Sequence, residues 1–237
     1  MTEQRNWKRI RDRLALHLPV RVRVRETPDF EWTEMTRLMN VTPFGAGFTL
    51  KRPTEKGRLL HMTIPMPRQL RVFDHVEDQY RIWAIVRYLK SEMSEQGTVF
   101  YVGVAFIGKR PPESYEQEPW RRYDVATNAG DALPAVSDLG KAASSEDQTR
   151  HQIAVDMRVE LLDEKGAVVE TEQTVSESIW PRGATLFTTL DLQQGRFIRV
   201  TSEQYKTIVH AAVRSRHIGA DGIARIQVEF IDKEWPL

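Results

Sequence analysis

The sequence contains no cysteine, which excludes disulfide bonds, thiolate catalysis and cysteine-based zinc sites. It also lacks an apolar run of about 18 residues, the length that a membrane-crossing helix requires. Its first residues are polar and basic, unlike the apolar segment of a signal peptide. We therefore expect a cytoplasmic protein with no membrane insertion.

The usual enzyme signatures are missing as well. The six histidines follow no spacing typical of a nucleophile with its base, or of a paired-histidine zinc site, and no glycine-rich phosphate loop is present. We therefore expect no catalysis, no bound metal and no cofactor.

Positive charge is concentrated at the beginning of the chain, although the formal net charge of all 237 residues is only +1. Residues 1–25 hold eight Lys and Arg against two acidic residues. Arg9 and Arg13 lie four residues apart in a basic arm, residues 7–13. Guanidinium groups stay charged and form paired hydrogen bonds with phosphate oxygens and with the guanine edge. By itself, the arm is also compatible with a solvated basic terminus.

A second polar motif follows at Asn40, Thr42 and Gly45. Asn40 and Thr42 are two residues apart, so on an extended segment both side chains point to the same side. Gly45 follows where the chain turns, and its missing Cβ lets a ligand approach the backbone. Alone, this motif is also good chemistry for an ordinary turn.

In this order and spacing, the two motifs resemble the PilZ domain, a bacterial family that binds cyclic di-GMP on a small six-stranded β-barrel. The resemblance implies a cyclic di-GMP site built from Arg9, Arg13, Asn40, Thr42 and Gly45, with Asn and Thr replacing the commoner Asp and Ser. It implies that the arginines clamp phosphates and guanine edges, that Asn40 and Thr42 read the guanine, and that Gly45 leaves it room. The secondary candidates are other cations of the arm, namely Lys8, Arg5 and Arg11. The ligand could enter as one molecule or as a stacked pair.

Hydrophobic alternation predicts a mostly β protein. Residues 16–25 alternate strictly, with Arg21, Arg23 and Arg25 on the polar side, a pattern typical of a half-buried strand. Further strands are predicted at 31–39, 46–51, 58–65, 80–89 and 99–107, and so many short strands with little helix favour a closed barrel. Residues 66–79 are predicted to form a solvated acidic loop.

Residues 111–149 change in composition and the strand pattern then returns. This stretch holds four prolines and eight acidic residues against three basic ones, which indicates a linker, with a short helix around 113–125. An acidic strap that shields the basic arm is an alternative. Beyond it, the spacing from Arg150 to Gly183 is 33 residues against 32 from Arg13 to Gly45, which indicates an internal repeat.

We therefore predict two tandem six-stranded PilZ-like barrels: a ligand-binding domain at 1–112, a linker at 113–149 and a second domain at 150–237. The second copy is predicted to be degenerate. Glu146 stands in the place of Arg9, and Ser178 and Trp180 stand in the places of Asn40 and Thr42.

These observations favour a non-enzymatic cyclic di-GMP receptor that changes conformation on binding and signals to a protein partner. One alternative is a PilZ-like adaptor that no longer binds nucleotide. Another is a small barrel that binds nucleic acid through the arm and the first-strand arginines, although the nearly neutral chain argues against it.

Overall fold

The structure, a computed structural model, describes residues 17–95, 97–126, 135–138 and 149–237. Its first half forms a closed antiparallel barrel, barrel one, with the strand order β1-β2-β3-β6-β5-β4. The strands are β1 (Pro19–Thr27), β2 (Phe30–Thr42), β3 (Gly45–Leu50), β4 (Leu59–Ile64), β5 (Tyr80–Ser94) and β6 (Gly97–Gly108). All six predicted strands of this half are confirmed, with bounds that differ by a few residues.

After β7 (Tyr123–Ala126) and β8 (Ala135–Asp138), the second half forms barrel two, and its strands close in the equivalent order β9-β10-β11-β14-β13-β12. They are β9 (Asp156–Leu162), β10 (Val168–Trp180), β11 (Gly183–Phe187), β12 (Phe197–Ser202), β13 (Thr207–Ile218) and β14 (Ala224–Phe230). The shared order confirms the repeat and the prediction of two tandem six-stranded barrels. The boundaries 1–112, 113–149 and 150–237 stay a prediction.

Each barrel is filled by the alternate side chains of its strands. Val20, Val22 and Val24 of β1 are fully buried in the core of barrel one, while Arg21 and Arg23 between them face outward and are exposed. This period of two is what a curved sheet with one wet face requires. The outward-facing residues of barrel one therefore define the surface on which a site has to be sought.

The described part of the predicted linker, residues 113–126 and 135–138, carries regular structure, although the helix predicted around 113–125 is only a short 3₁₀ turn. It contains one 3₁₀ turn (Glu113–Tyr115) and the antiparallel pair β7–β8. Tyr115 and Tyr123 are buried against the outer face of barrel one, where the ring centroids of Tyr115 and Trp83 lie 4.8 Å apart. Hydrophobic burial therefore fixes part of this stretch to barrel one.

Buried ion pairs join the two barrels. Glu26, at the end of β1, is fully buried and accepts hydrogen bonds from Arg52 (2.7 Å) and from the backbone N–H of Phe197 in barrel two (3.1 Å). Glu55 is 2 % exposed and pairs with Arg58 of barrel one at 2.6 Å and with Arg214 of barrel two. Charges buried to this degree are tolerated only in such paired arrangements, so these carboxylates fix the contact.

The loop at residues 66–79 is exposed at 67–69 and 75–79, in line with its prediction as a solvated acidic loop, but it is not solvated throughout. Asp74 is only 5 % exposed, because its carboxylate accepts hydrogen bonds from the Val76 and Glu77 backbone and pairs with Lys109 at 3.0 Å. These bonds hold the pKa of Asp74 low, at about 2. Arg71 donates to the carbonyl of Met66 at 2.8 Å. The loop is thus organised by its own polar groups, which composition alone did not reveal.

Candidate functional site

The turn between β2 and β3 holds two of the predicted site residues. Thr42 and Gly45 face each other across the strand pair, so only Pro43 and Phe44 form the turn. The Thr42 hydroxyl accepts a hydrogen bond from the Phe44 backbone N–H (3.2 Å) and donates one to the Gly45 carbonyl (3.3 Å). Its single proton is therefore engaged, and the group can meet a ligand only as an acceptor.

Asn40 lies one cross-strand row further from the turn than Thr42. It is on the outer face of the barrel and is half-buried. It is paired with Gly47 on β3, Gly47 with Gly103 on β6, and Gly103 with Tyr88 on β5. Among the residues that the structure describes, the Asn40 amide has no hydrogen-bond partner, so both its donor and its acceptor are available. The side chain that ends the row, Tyr88, is 54 % exposed.

Three glycines, Gly45, Gly47 and Gly103, form a flat strip on this outer face, which we call the glycine floor. A Cβ at Gly47 would lie 3.0 Å from Nδ2 of Asn40, and a Cβ at Gly103 would lie 3.2 Å from Cβ of Tyr88. The missing carbons make room for the Asn40 amide above Gly47 and for the Tyr88 side chain above Gly103, so a planar ligand on this face would meet the amide and the phenol ring.

Gly45 has a further reason to be glycine. The resemblance implied that it leaves room for the guanine, but a Cβ there would collide with the backbone carbonyl of Val104 on the neighbouring strand. A backbone atom of a paired strand cannot give way as a side-chain end can. The residue is therefore required by strand packing in the free barrel, whatever its role toward a ligand.

The basic arm, with Arg9, Arg13 and the secondary candidates Lys8, Arg5 and Arg11, lies outside the described residues. The described chain nevertheless shows where the arm joins the barrel. The Leu18 carbonyl accepts a hydrogen bond from the Leu38 backbone N–H at 2.9 Å, two residues before Asn40. Leu18 is five positions after Arg13, a reach of about 17 Å in an extended chain. The attachment point is therefore separated from the glycine floor only by β2, the strand that carries Asn40.

In barrel two, the corresponding floor is filled. The row of Asn40, Gly47 and Gly103 becomes Ser178, Thr185 and Gln227. Two of the three glycines of the floor, Gly47 and Gly103, are thus replaced in barrel two by residues with side chains, Thr185 and Gln227. A flat ligand could not approach the backbone at these two positions.

The second row of barrel two is filled by an indole ring. Trp180 takes the place of Thr42 and is 1 % exposed, and its ring covers Gly183, the counterpart of Gly45. The guanidinium of Arg150, predicted to match Arg13, lies 4.6 Å from the centroid of that ring. An arginine stacked on tryptophan is a stable arrangement in itself. The contact thus occupies the groups that the matching site would need.

The sequence reasoning named Asn40, Thr42 and Gly45 but missed Gly47, Gly103 and Tyr88. The glycines were visible as isolated glycines inside predicted strands, a signal of close backbone approach. Their alignment in one row depends on the pairing of β3 with β6, which are far apart in sequence. The strand order was needed to bring them together.

Comparison with known proteins gives matches in structure only. No family model and no curated protein matches the chain. The solved structures that are similar include the inhibitor of motility MotI/DgrA from Bacillus subtilis, with 11 % identity over 93 % of this chain and 90 % of that one, at a TM-score of 0.30.

Two others were solved in complex with c-di-GMP. PlzA from Borreliella burgdorferi has 9 % identity, covering 94 % of this chain and 84 % of that one, at a TM-score of 0.28. YcgR from Escherichia coli has 13 % identity, covering 91 % and 76 %, at a TM-score of 0.28. TM-scores of this size carry no argument about function, so the chemistry of the site has to come from its own residues. None of the described segments forms a helix with the length and apolar character needed to cross a bilayer.

Proposed function

We propose that this protein is a non-enzymatic, cytoplasmic receptor for cyclic di-GMP, which binds on the outer face of barrel one. The observation that carries the proposal is the row of Asn40, Gly47, Gly103 and Tyr88, in which an amide without a partner and an exposed aromatic ring lie over two glycines. Barrel two has Ser178, Thr185 and Gln227 in the first three of these places. A free amide, a backbone floor and an exposed aromatic ring suit the hydrogen-bonding edge and the flat face of a guanine.

The groups have complementary tasks in this proposal. The Asn40 amide offers a donor and an acceptor to a base edge, and Thr42 accepts from a base N–H, since its own proton is bound by the Gly45 carbonyl. The arm residues Arg9 and Arg13 supply the charge that the two phosphates of the ligand require, in keeping with the resemblance to the PilZ family. One ligand or a stacked pair fits this division of tasks.

The signalling step is part of the proposal. The ligand bridges the arm and the glycine floor, and a protein partner recognises the new surface. Slower amide hydrogen exchange at residues 5–14 on adding cyclic di-GMP is the expected result. Unchanged exchange there with saturating ligand would contradict this step while leaving the binding proposal intact.

Calorimetric titration of cyclic di-GMP tests the binding itself. We expect Arg13→Ala to weaken binding roughly 10- to 100-fold, because a charge-assisted hydrogen bond contributes about 1.5–3 kcal/mol. The matched control is Arg150→Ala, which removes the corresponding arginine of barrel two and should leave the affinity unchanged. Thr42→Trp copies the barrel-two residue into barrel one and should abolish binding, because the indole would cover Gly45 as Trp180 covers Gly183.

Other outcomes favour other functions. Absence of binding by the wild-type chain would favour the adaptor that no longer binds nucleotide. Equal affinity for GMP, or stronger and steeply salt-dependent binding of oligonucleotides, would favour the nucleic-acid-binding barrel. An equal loss of cyclic di-GMP affinity in Arg13→Ala and Arg150→Ala would show that the arm is not part of the binding site.

A further inference from the structure

A cluster of arginines occupies the outer face of barrel one on β1, β4 and β5. Arg21, Thr63 and Arg81 form one cross-strand row, and Arg23 and His61 lie in the next row. Outward-facing neighbours are about 7 Å apart along a strand, and strands are about 5 Å apart, so the three arginine Cα atoms lie within about 10 to 12 Å of one another. We call these five residues the arginine patch.

The patch lacks negative charge. Among the residues that the structure describes, none of the three guanidinium groups has an acidic partner. Thr63 is 8 % exposed and its hydroxyl, at the centre of its row, has no hydrogen-bond partner in the described chain. Burial, and the nearby charges of Arg23, Arg21 and Arg81, lower the pKa of His61 to about 4. The buried Thr63 hydroxyl thus lacks a partner, and the three exposed cations around it have no neighbouring carboxylate, an arrangement that can accept an anion.

Barrel two shows the same arrangement in a neutralised form. The fourth strand of each barrel follows a Gly-Arg pair, Gly57-Arg58 in barrel one and Gly195-Arg196 in barrel two. When these pairs are aligned, Glu160 takes the place of Arg23. Glu160 is 7 % exposed and pairs with Arg158 at 3.4 Å and with Arg199. The equivalent face of barrel two therefore carries its own carboxylate between two arginines, and that of barrel one does not.

We propose that the arginine patch of barrel one binds a phosphate group. A tetrahedral phosphate offers several oxygens at once, so it can accept from the guanidinium groups of Arg21, Arg23 and Arg81 and from the Thr63 hydroxyl. Toward the arginines it takes the role that the Glu160 carboxylate has in barrel two, where the hydroxyl of Thr201, the counterpart of Thr63, has no partner either. The centre of the patch, on β4, lies opposite β3 in the closed barrel, and the patch and the glycine row share only β5, where Arg81 lies seven residues before Tyr88.

His61 reports on the occupancy of this site. The groups that face it are Arg23 on β1, the flanking Arg21 and Arg81, and the Trp83 ring, whose centroid is 5.1 Å from that of the imidazole. A bound phosphate would offset the three positive charges that disfavour the imidazolium ion. The pKa of His61 should therefore rise on binding, by about one unit or more.

The test is an NMR pH titration of His61 in the full chain, with and without inorganic phosphate, at constant ionic strength set with sodium chloride. We expect phosphate to raise the pKa of His61 in the wild type, and to have no such effect in Arg81→Gln. The matched control is Arg68→Gln, which removes one exposed arginine that pairs with Asp78 at 3.3 Å and should keep the full response. Arg23→Glu imitates barrel two, and should raise the pKa of His61 even without phosphate.

Two further arms identify the source of the phosphate. A short single-stranded oligonucleotide presents phosphodiesters, and vesicles of anionic phospholipid present headgroups. The probe that shifts His61 at the lowest phosphate concentration names the class of ligand. No shift with any of the three, or equal shifts in Arg81→Gln and Arg68→Gln, would overturn the proposal, the second because it would reveal general charge screening.

Discussion

The carboxylate of Glu55 offers a quantitative test of the contact between the barrels. It is 2 % exposed, accepts a 2.6 Å hydrogen bond from Arg58 and pairs with Arg214 of the other barrel. Burial alone would raise its pKa, but Arg214, Arg58 and Arg122 outweigh burial and lower the pKa from 4.5 to about 2. The ionised carboxylate is therefore more stable in the folded chain than in the unfolded chain.

The perturbation is Glu55→Gln, which keeps the shape of the side chain and removes its charge. A pKa difference of this size corresponds to about 3 kcal/mol of folding free energy at neutral pH. A loss of 3–5 kcal/mol is typical when one partner of a buried ion pair is removed, so the two figures agree in order of magnitude. We expect the variant to lose about 3 kcal/mol of unfolding free energy at pH 7.

The lowered pKa of Glu55 also determines how its contribution to stability changes with pH. Because the folded-state pKa is depressed, the contribution is fully present above the unfolded value of 4.5 and is lost as the pH falls toward about 2. Urea unfolding of the wild type and of Glu55→Gln, followed by circular dichroism at pH 7 and at successively lower pH, measures the difference. That difference should shrink below pH 4.5 as Glu55 itself becomes protonated.

The matched control is Glu31→Gln, which removes an exposed carboxylate of barrel one and should change stability by less than about 0.5 kcal/mol. A Glu55→Gln effect below about 1 kcal/mol at pH 7 would refute the reasoning. So would a difference between wild type and variant that stays constant down to acid pH, because it would then not come from the charge of Glu55.

Two further predictions concern barrel one. Gly45→Ala should lower the unfolding free energy by about 1–3 kcal/mol, because its Cβ would meet the Val104 carbonyl. Gly47→Ala should keep the stability and weaken cyclic di-GMP binding, because its Cβ meets only the movable Asn40 amide. Thermal unfolding measures the first effect and calorimetry the second. Trp32→Phe removes the buried 2.8 Å hydrogen bond from the indole to Glu26 and should cost about 1.5–3 kcal/mol in urea unfolding; an unchanged midpoint would show that this bond contributes nothing net.

The fold was accessible from the sequence because its signals are local. Strict alternation at Val20, Val22 and Val24 specifies which face of β1 is buried, and the two-residue turn before Gly45 specifies the register of the following strand. The repeat then gave the second barrel from the first. Strand existence and pairing between sequence neighbours follow from such local patterns.

The remaining features arise from contacts between distant parts of the chain. Glu26 and Glu55 look like surface carboxylates in sequence, since nothing near them reveals that Phe197 and Arg214 will cover them. Gly47 and Gly103 become a site only when β3 and β6 are neighbours. Patterns along the chain specify burial within a barrel, but they carry no record of which charged ends of two barrels will meet.

The two barrels share one fold but differ in which surface residues make contacts, as one pair of equivalent positions shows. Glu229 of barrel two takes the place of Ala105, beside Gly45 on the floor of barrel one. Its carboxylate accepts from Arg214 at 2.9 Å and from Arg122 at 3.2 Å, both of which also approach Glu55. Glu229 thus lies beside the floor position of Gly183 and also takes part in the contact between the barrels. Glu229→Ala, which copies the residue of barrel one at this position, would leave both arginines short of a partner and should therefore weaken the contact between the barrels.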